Sequence, residues 1–318
     1  MKLQTNIPLQ KRTKNLIDYQ SKVFLLGSCF VENIGQKLTY FKFQSHQNPF
    51  GVLFHPKAIE TIVVKAVEQN EYNEKDVFFH NEQWHCYEAH SKMSNISKDI
   101  LIANLNEQLQ VTRQHLKEAS HIVITLGTAW VYKHTLSDLP VANCHKVSQQ
   151  NFTKALLSIK EITDALQNLH HKLKAINAKA VLIFTVSPIR HIKDGFIENT
   201  RSKAHLITAI HDFIAQQHIK DKFYFPSYEI MMDELRDYRF YTEDMLHPNA
   251  TAINYIWEKF QTVWMSDDSL EIMAEVDSIQ KGMAHLPFNP TSEAHTNFLK
   301  QLEFRKETLQ KKFHHITF

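Results

Sequence analysis

Glycine is scarce in this chain, with only Gly27, Gly35, Gly51, Gly127, Gly195 and Gly282 among 318 residues. Cysteine is scarcer: Cys29, Cys86 and Cys144 form an odd, widely spaced set that gives no disulfide framework. The 20 histidines are scattered, and neither His-Glu-x-x-His nor a paired Cys-x-x-Cys anchors them, so no metal site and no organic cofactor is expected. Nowhere do about 18 apolar residues run together, and Met1 to Pro8 lacks the apolar centre of a signal peptide. A soluble, cytoplasmic protein is the expectation. Charge of one sign is also missing: 36 basic and 34 acidic residues leave +2, which offers no bulk attraction to nucleic acid or to a membrane surface. What is present is apolar content, 43%, ample for a sizeable core.

The stretch Lys22 to Gly35 organises the rest. Val23, Phe24, Leu25 and Leu26 form a short apolar run suited to a strand covered on both faces. Gly27 permits a sharp turn, and a helix begins at Ser28 or Cys29. Free N–H groups and the positive end of that helix surround both side chains, which predicts an exposed nucleophile, a lowered pKa for a thiol, and ready donors for an oxyanion. A plain strand-to-helix turn, with Ser28 as cap and Cys29 as a small buried residue, accounts for the same letters.

Along the chain, strands alternate with helices. Phe41 to Ser45 alternates as a half-buried strand, Asn48-Pro49-Phe50-Gly51 is a turn, and Pro56 opens an amphipathic helix carrying Ile59, Ile62, Val63 and Ala66. Val77-Phe78-Phe79 and Gln83-Trp84-His85 read as an inserted hairpin. A helix over 98–118 feeds the strand Ile122 to Leu126, which ends at Gly127. After the loop Asn143-Cys144-His145-Lys146, one long helix is predicted from Phe152 through Ile176. Ala180 to Val186 is the fourth strand, a helix follows over 200–217, and Phe223 to Phe225 is the fifth strand. A short helix spans Tyr228 to Asp237, and Pro248 opens another that holds Ile253, Ile256, Trp257 and Phe260. This alternation predicts an α/β fold: a five-stranded parallel sheet in a three-layer α/β/α sandwich over residues 1–265, with the order 2-1-3-4-5 taken by analogy from flavodoxin-like sheets. Residues 266–318 are a charged helical extension that packs back on the domain or forms a dimer contact.

Four of the six glycines, Gly27, Gly51, Gly127 and Gly195, fall just after proposed strands, where a ligand would bind at the carboxyl edge and where turns also need glycine. To that edge the topology also brings Asp244-x-x-His247. A histidine there could take the nucleophile's proton while the aspartate fixes its tautomer, although Asp-x-x-His alone is more often a chance match or a helix-capping pair.

Taken together, Gly27-Ser28-Cys29-Phe30 with Glu32, Asn33, Ile34 and Gly35, Asn48-Pro49-Phe50-Gly51, Leu126-Gly127-Thr128-Ala129-Trp130, Asn143-Cys144-His145-Lys146, Ser187-Pro188-Ile189-Arg190-His191 with Asp194-Gly195, and Asp244-Met245-Leu246-His247-Pro248 resemble the GSCFA proteins, relatives of the SGNH or GDSL-type hydrolases. The resemblance covers most of residues 1–265 and implies the SGNH-hydrolase sandwich. Laid on Gly-Asp-Ser-Leu-Thr-Glu-Gly-x-Gly, the chain matches at Gly27, Glu32 and Gly35, which puts Cys29 at the nucleophile and Ser28 one residue before it; either could serve. His247 would be the base and Asp244 its orienter. The N–H groups of Cys29 and Gly51 would form the oxyanion hole, but the asparagine that SGNH enzymes keep after the third strand is Ala129 here. Asn48 and Asn143 are the candidates to replace it. Trp130, His145, Arg190 and His191 would contact substrate, with Trp84 a second stacking candidate and Asp194 an alternative ion-pair partner for Arg190.

The implied activity is hydrolysis of O-acyl esters, acetyl esters of carbohydrates among them, through an acyl-enzyme. An acyltransferase with the same triad, or a binding module that has lost the oxyanion amide, are the alternatives. The expected partner is a small-molecule or carbohydrate ester, with neither nucleic acid nor membrane, and a homodimer through the C-terminal helices is left open.

Overall fold

Two alternating apolar patterns run through the central strands, and each faces its own layer of helices. A computed structural model describes residues 5–215 and 221–318. The strands β1 (Lys22–Gly27), β2 (Gln44–Gln47), β5 (His121–Leu126), β9 (Val181–Val186) and β10 (Lys222–Tyr224) form one parallel sheet in the order β10-β9-β5-β1-β2. Counted within the sheet alone, that is the expected 2-1-3-4-5. Leu25 pairs with Val123, and Ile124 pairs with Phe184.

Phe24, Leu26, Ile122, Ile124, Leu182 and Phe184 face a core shared with α2 (Pro56–Glu68), α3 (Lys98–Glu118), α4 (Ile159–Ile176) and α5 (Phe196–Ile214). Their neighbours Val23, Leu25, Val123, Val181 and Ile183 face a second core with α1 (Cys29–Tyr40) and α7 (Ala250–Trp264). This two-sided burial is what the unbroken apolar runs of these strands require, and it makes the three-layer α/β/α sandwich.

Between the sheet strands lie the hairpin β3 (Phe78–His80) and β4 (Gln83–His85), as expected, and a three-stranded antiparallel sheet that was not. The latter consists of β6 (Trp130–His134), β7 (Pro140–Val141) and β8 (Phe152–Leu156) in the order β7-β6-β8. The long helix predicted from Phe152 is therefore corrected: its first turn is strand. Phe152 and Leu156 are four apart, a spacing that fits a helix face and a strand face equally. The helix starts where Ser158 and Glu161 form a reciprocal capping box, with Ser158 Oγ accepting from Glu161 N at 3.2 Å and Glu161 Oε2 accepting from Ser158 N at 2.8 Å.

Smaller shifts follow the caps. β2 begins at Gln44 rather than Phe41. Pro248 stands outside α7, which Asn249 caps by accepting from Ala252 N at 3.1 Å. The helix predicted over Tyr228 to Asp237 is a single α-turn, α6 (Ser227–Glu229), running into a π-turn over Ile230–Glu234. The predicted end of the helix at 217 lies outside the described residues.

The charged tail forms α8 (Asp267–Ala284) and α9 (Glu293–Lys312). It packs back on the domain: Met273, Val276 and Ile279 of α8, with Leu302, Leu309, Phe313 and Ile316, are buried in the second core. Among the described residues no helix is long and apolar enough to cross a membrane. Because Ile279 is fully buried, Ile279→Ala is expected to cost about 2–5 kcal/mol of unfolding free energy in urea titrations. A loss near the surface-mutation range of about 0.5 kcal/mol would mean that the extension does not belong to the core.

Candidate active site

β1 ends under strict backbone control. Gly27 has φ +136°, and a Cβ on it would sit 2.1 Å from Thr125 O, so glycine is required both by torsion and by space. Ser28 N donates to Thr125 O at 3.0 Å and Gly27 O accepts from Leu53 N at 3.0 Å. Ser28 is the N-cap residue of α1 without using its hydroxyl as a cap; its Oγ is fully buried and has no partner. Cys29 is the first helical residue and is half-buried. Here an expectation is corrected. Burial pushes the Cys29 thiol up and outweighs the N–H groups of Cys29 and Phe30 and the Lys203 charge, which favour the thiolate. The resting sulfur is a thiol.

The Asp244–His247 loop is closed by a bridge between Tyr241 and Pro248, with Thr242 N donating to His247 O at 2.8 Å. Asp244 Oδ1 accepts from Thr242 Oγ1, Leu246 N and His247 N at 2.7, 2.8 and 3.0 Å. Its Oδ2 accepts from His247 Nδ1 at 2.5 Å. These donors hold the Asp244 carboxyl well below the usual carboxylate range, the His247 N–H foremost. The pair is a turn and an orienter at once, and the bond at Nδ1 leaves His247 Nε2 as the acceptor. His247 Nε2 is not hydrogen-bonded to Ser28, and no such bond to Cys29 is formed among the described residues.

After β2, Asn48 and Gly51 make a tight turn in which Gly51 N donates to Asn48 O at 2.8 Å. The Gly51 N–H expected in the oxyanion hole is thus already used, and Gly51 owes its place to φ +76° and to His90, whose Cβ lies 2.4 Å from a Gly51 Cβ position. Asn48 is the more available donor: its Oδ1 accepts from Gly27 N at 2.9 Å, which fixes the amide beside the Gly27–Ser28 peptide, and its Nδ2 is buried without a partner.

Asn143 is elsewhere. It accepts from His145 N at 2.8 Å and lines a cleft of about 700 Å³ together with Phe54, Thr128, Trp130, Tyr132 and His191. Trp130 enters that cleft as expected, with Lys154 Nζ 4.8 Å above its ring and Nε1 donating to Glu198 O at 3.2 Å. Trp84 does not; it lies in β4 beneath Lys98 Nζ, 5.6 Å from its ring. His145 turns inward with φ +50°, bonds Cys86 O through Nε2 at 2.7 Å, and is pushed down to about 4 by burial. It is a structural residue, and the expectation that it contacts substrate is corrected.

At the end of β9, Arg190 N lies 3.4 Å from Leu246 O, which joins this loop to the Asp244–His247 loop. The Arg190 guanidinium lies 5.2 Å over Tyr241 and makes no pair with Asp194, whose partner is Lys154. His191 is anchored by Asn199 Oδ1, which accepts from its backbone N at 2.9 Å, and its ring stands edge-on to Phe54 at 5.5 Å. Burial, then the charges of Lys203 and His247, push His191 down to about 3, so it is neutral.

Lys203 is the residue that sequence reading missed. Its ammonium is buried at 1% exposure and donates to Gly127 O at 2.8 Å and Ser187 O at 2.7 Å, tying the ends of β5 and β9 together. A signal was available: Asn199, Ser202 and Lys203 lie on the same face of α5 as Leu206, Ala209, Ile210 and Phe213, and polar residues on an apolar stripe demand partners. Ser202 Oγ accordingly accepts from Ala129 N at 2.7 Å.

Burial lowers the Lys203 pKa from 10.5 to about 7. Between those values the unfolded chain binds a proton that the folded one does not, so stability rises with pH through that window. Wild type is therefore expected to gain unfolding free energy relative to Lys203→Met between pH 7 and pH 10, read from urea midpoints. A pH-independent difference would refute the shift.

Comparison with curated proteins returned no match. The solved structures that align with the chain include two esterases. A carbohydrate esterase of family 3 from Talaromyces cellulolyticus is 9% identical, covering 81% of this chain and 99% of its own at a TM-score of 0.37. An acetyl xylan esterase from the rumen bacterium Butyrivibrio proteoclasticus is 10% identical, covering 85% of this chain and 66% of its own at a TM-score of 0.39. The GSCFA family model matches residues 22–260, and the model of the GSCFA domain protein C-terminal domain matches residues 276–318. With the larger part of its length matched, the chain belongs to the GSCFA family.

Proposed function

We propose that this protein is a carboxylic-ester hydrolase that forms an acyl-enzyme on Cys29, with His247 as base and Asp244 as its orienter. The observation that carries the reading is the Asp244–His247 pair. Its 2.5 Å bond leaves Nε2 free, on a loop joined by Arg190 N to the same sheet edge at which Cys29 opens α1. Cys29 is favoured over Ser28 because Ser28 Oγ is sealed from solvent whereas Cys29 is half-buried.

Since the resting sulfur is a thiol, the proton must leave at the moment of attack. His247 Nε2 takes it, the sulfur bonds to the ester carbonyl carbon, and the C–O bond breaks as His247 returns the proton to the departing alkoxide. Water, deprotonated by the same nitrogen, then cleaves the thioester to release acid and restore the thiol. The N–H of Cys29 and the unpartnered Nδ2 of Asn48 support the negative oxygen. The cleft that holds Trp130, Tyr132 and Asn143 has the aromatic and amide lining that an O-acylated sugar would use.

A second reading is a binding module without turnover; it is favoured by Ala129 at the amide position and by the absence of a His247–thiol hydrogen bond. The two separate by intact-protein mass after iodoacetamide or fluorophosphonate, with peptide mapping. Modification at Cys29 in preference to Cys86 and Cys144, slowed in His247→Ala, is the result expected of the hydrolase. Turnover of short acyl esters by that variant should fall on the order of 10²- to 10⁴-fold. Equal, slow turnover by wild type and His247→Ala would sink the assignment and leave the binding module.

A further inference from the structure

The cleft of about 700 Å³ carries charge of one sign, although the chain as a whole is close to neutral. Lys146 enters its lining from the loop after β7 and Lys193 from the turn after β9. Asp194, the one carboxylate in that lining among the described residues, is already paired with Lys154. Neither Lys146 nor Lys193 has a carboxylate within ion-pair distance among the described residues. His55 and His191 also line the cleft, and burial holds both neutral, at about 4 and about 3. Burial pushes the Cys144 thiol up and the Lys193 charge opposes it, so Lys193 stands within reach of the loop that carries Lys146.

Both loops are held in place by bonds of their own. Val147 N donates to Cys144 O at 2.9 Å and His145 Nε2 meets Cys86 O at 2.7 Å, which fixes a loop with His145 and Lys146 at φ +50° and +60°. Gly195 N donates to Ile192 O at 2.9 Å, and Lys154 holds Asp194 to β8 while its Nζ lies 4.8 Å from the Trp130 ring and 5.7 Å from that of Tyr132. Two ammonium groups are thus kept on one cleft whose walls include Phe54, Trp130 and Val147. Apolar walls concentrate the field of like charges, and an anion entering there relieves their repulsion.

We propose that this cleft takes a carbohydrate bearing an anionic group, carboxylate or phosphate, which the Lys146 and Lys193 ammonium groups hold while the sugar lies against Trp130 and Tyr132. That the carbohydrate is the ester substrate rests on the hydrolase reading above; the preference for an anion does not. An ammonium is a compact point charge with three donors, so it serves either anion. Asn143, whose Oδ1 accepts from His145 N at 2.8 Å, keeps its amide N–H groups for sugar hydroxyls, and Ser148 and Gln149 of the same lining donate and accept. Two of the lining residues, Phe54 and His191, close with Ser28 around Gly127: Phe54 O, His191 Nε2 and Ser28 Cβ lie 3.1, 3.2 and 3.1 Å from where a Cβ would be. The wall of the cleft therefore adjoins the residue before Cys29.

The test has two arms. In the first, the full chain is titrated calorimetrically with glucuronate, glucose 6-phosphate and glucose, at low and at high sodium chloride. An acidic sugar should bind on the order of tenfold or more tighter than glucose at low salt, and the advantage should shrink at high salt. It should vanish in the double variant Lys146→Gln, Lys193→Gln. Glucuronate alone gaining names the carboxylate, and glucose 6-phosphate alone the phosphate. Acidic sugars that bind no tighter than glucose, or an advantage that survives in the double variant, overturn the proposal. In the second arm, the monoacetyl esters of the favoured acidic sugar and of glucose are compared as substrates, and kcat/KM should favour the acidic one on the order of tenfold. Turnover of both with equal kcat/KM overturns the substrate assignment. If neither ester is hydrolysed while the lysine-dependent preference in binding holds, the hydrolase reading fails and the anion cleft stands.

Discussion

The carboxyl ends of β1, β5 and β9 present backbone groups that the sheet can no longer pair, and the site is built from what pairs them. Each strand is buried on both faces, so no water reaches these ends from the sides, and every N–H and C=O must find a partner in the loops. Thr125 O takes Ser28 N, Leu126 O takes Ser187 N, Gly27 O takes Leu53 N, and Phe54 O takes both Gly127 N and Thr128 N. The last two carbonyls, those of Gly127 and Ser187, are met by the Lys203 ammonium, which crosses from α5. These bonds hold the loops to the strand ends by their backbones.

That framework sorts the ionisable groups into two environments. Asp244 and His247 sit on a loop about half exposed, at 45% and 48% for the side chains, where an ion pair forms and dissolves at little cost. His191 and Lys203 sit inside, where burial opposes charge; His191 is neutral and Lys203 is brought to about 7. Burial thus holds His191 in a single, neutral form.

Much of this was legible in the residues. The parallel sheet followed from strands alternating with helices, its order only by analogy with flavodoxin-like sheets, and the carboxyl edge was marked by Gly27, Gly51 and Gly127 together with Asp244 and His247. What was hidden depended on partners far away in the chain. Phe152 to Leu156 fits either periodicity, and only the antiparallel neighbour Trp130–His134 decides for strand. His145 reads as a loop histidine open to a ligand, yet Cys86 O draws it inward. Gly51 matched its motif, but its N–H is consumed by a turn that begins three residues earlier. Lys203 was passed over because a lysine in an amphipathic helix is normally solvated, and nothing local shows that two strand ends await its ammonium.

Ser28 and Cys29 stand where β1 gives way to α1, and their surroundings differ. Along β1, Phe24 and Leu26 face the first core while Val23 and Leu25 face the second. Gly27, with φ +136°, ends that alternation, and beyond it the chain turns into a helix. Ser28 packs its Cβ against Gly127 and buries its Oγ completely. Cys29, the first residue of α1, packs against the second core and keeps part of its surface open. Two adjacent residues of similar chemistry are thereby given different surroundings, the hydroxyl sealed and the thiol half open, by a strand that must turn into a helix within two residues.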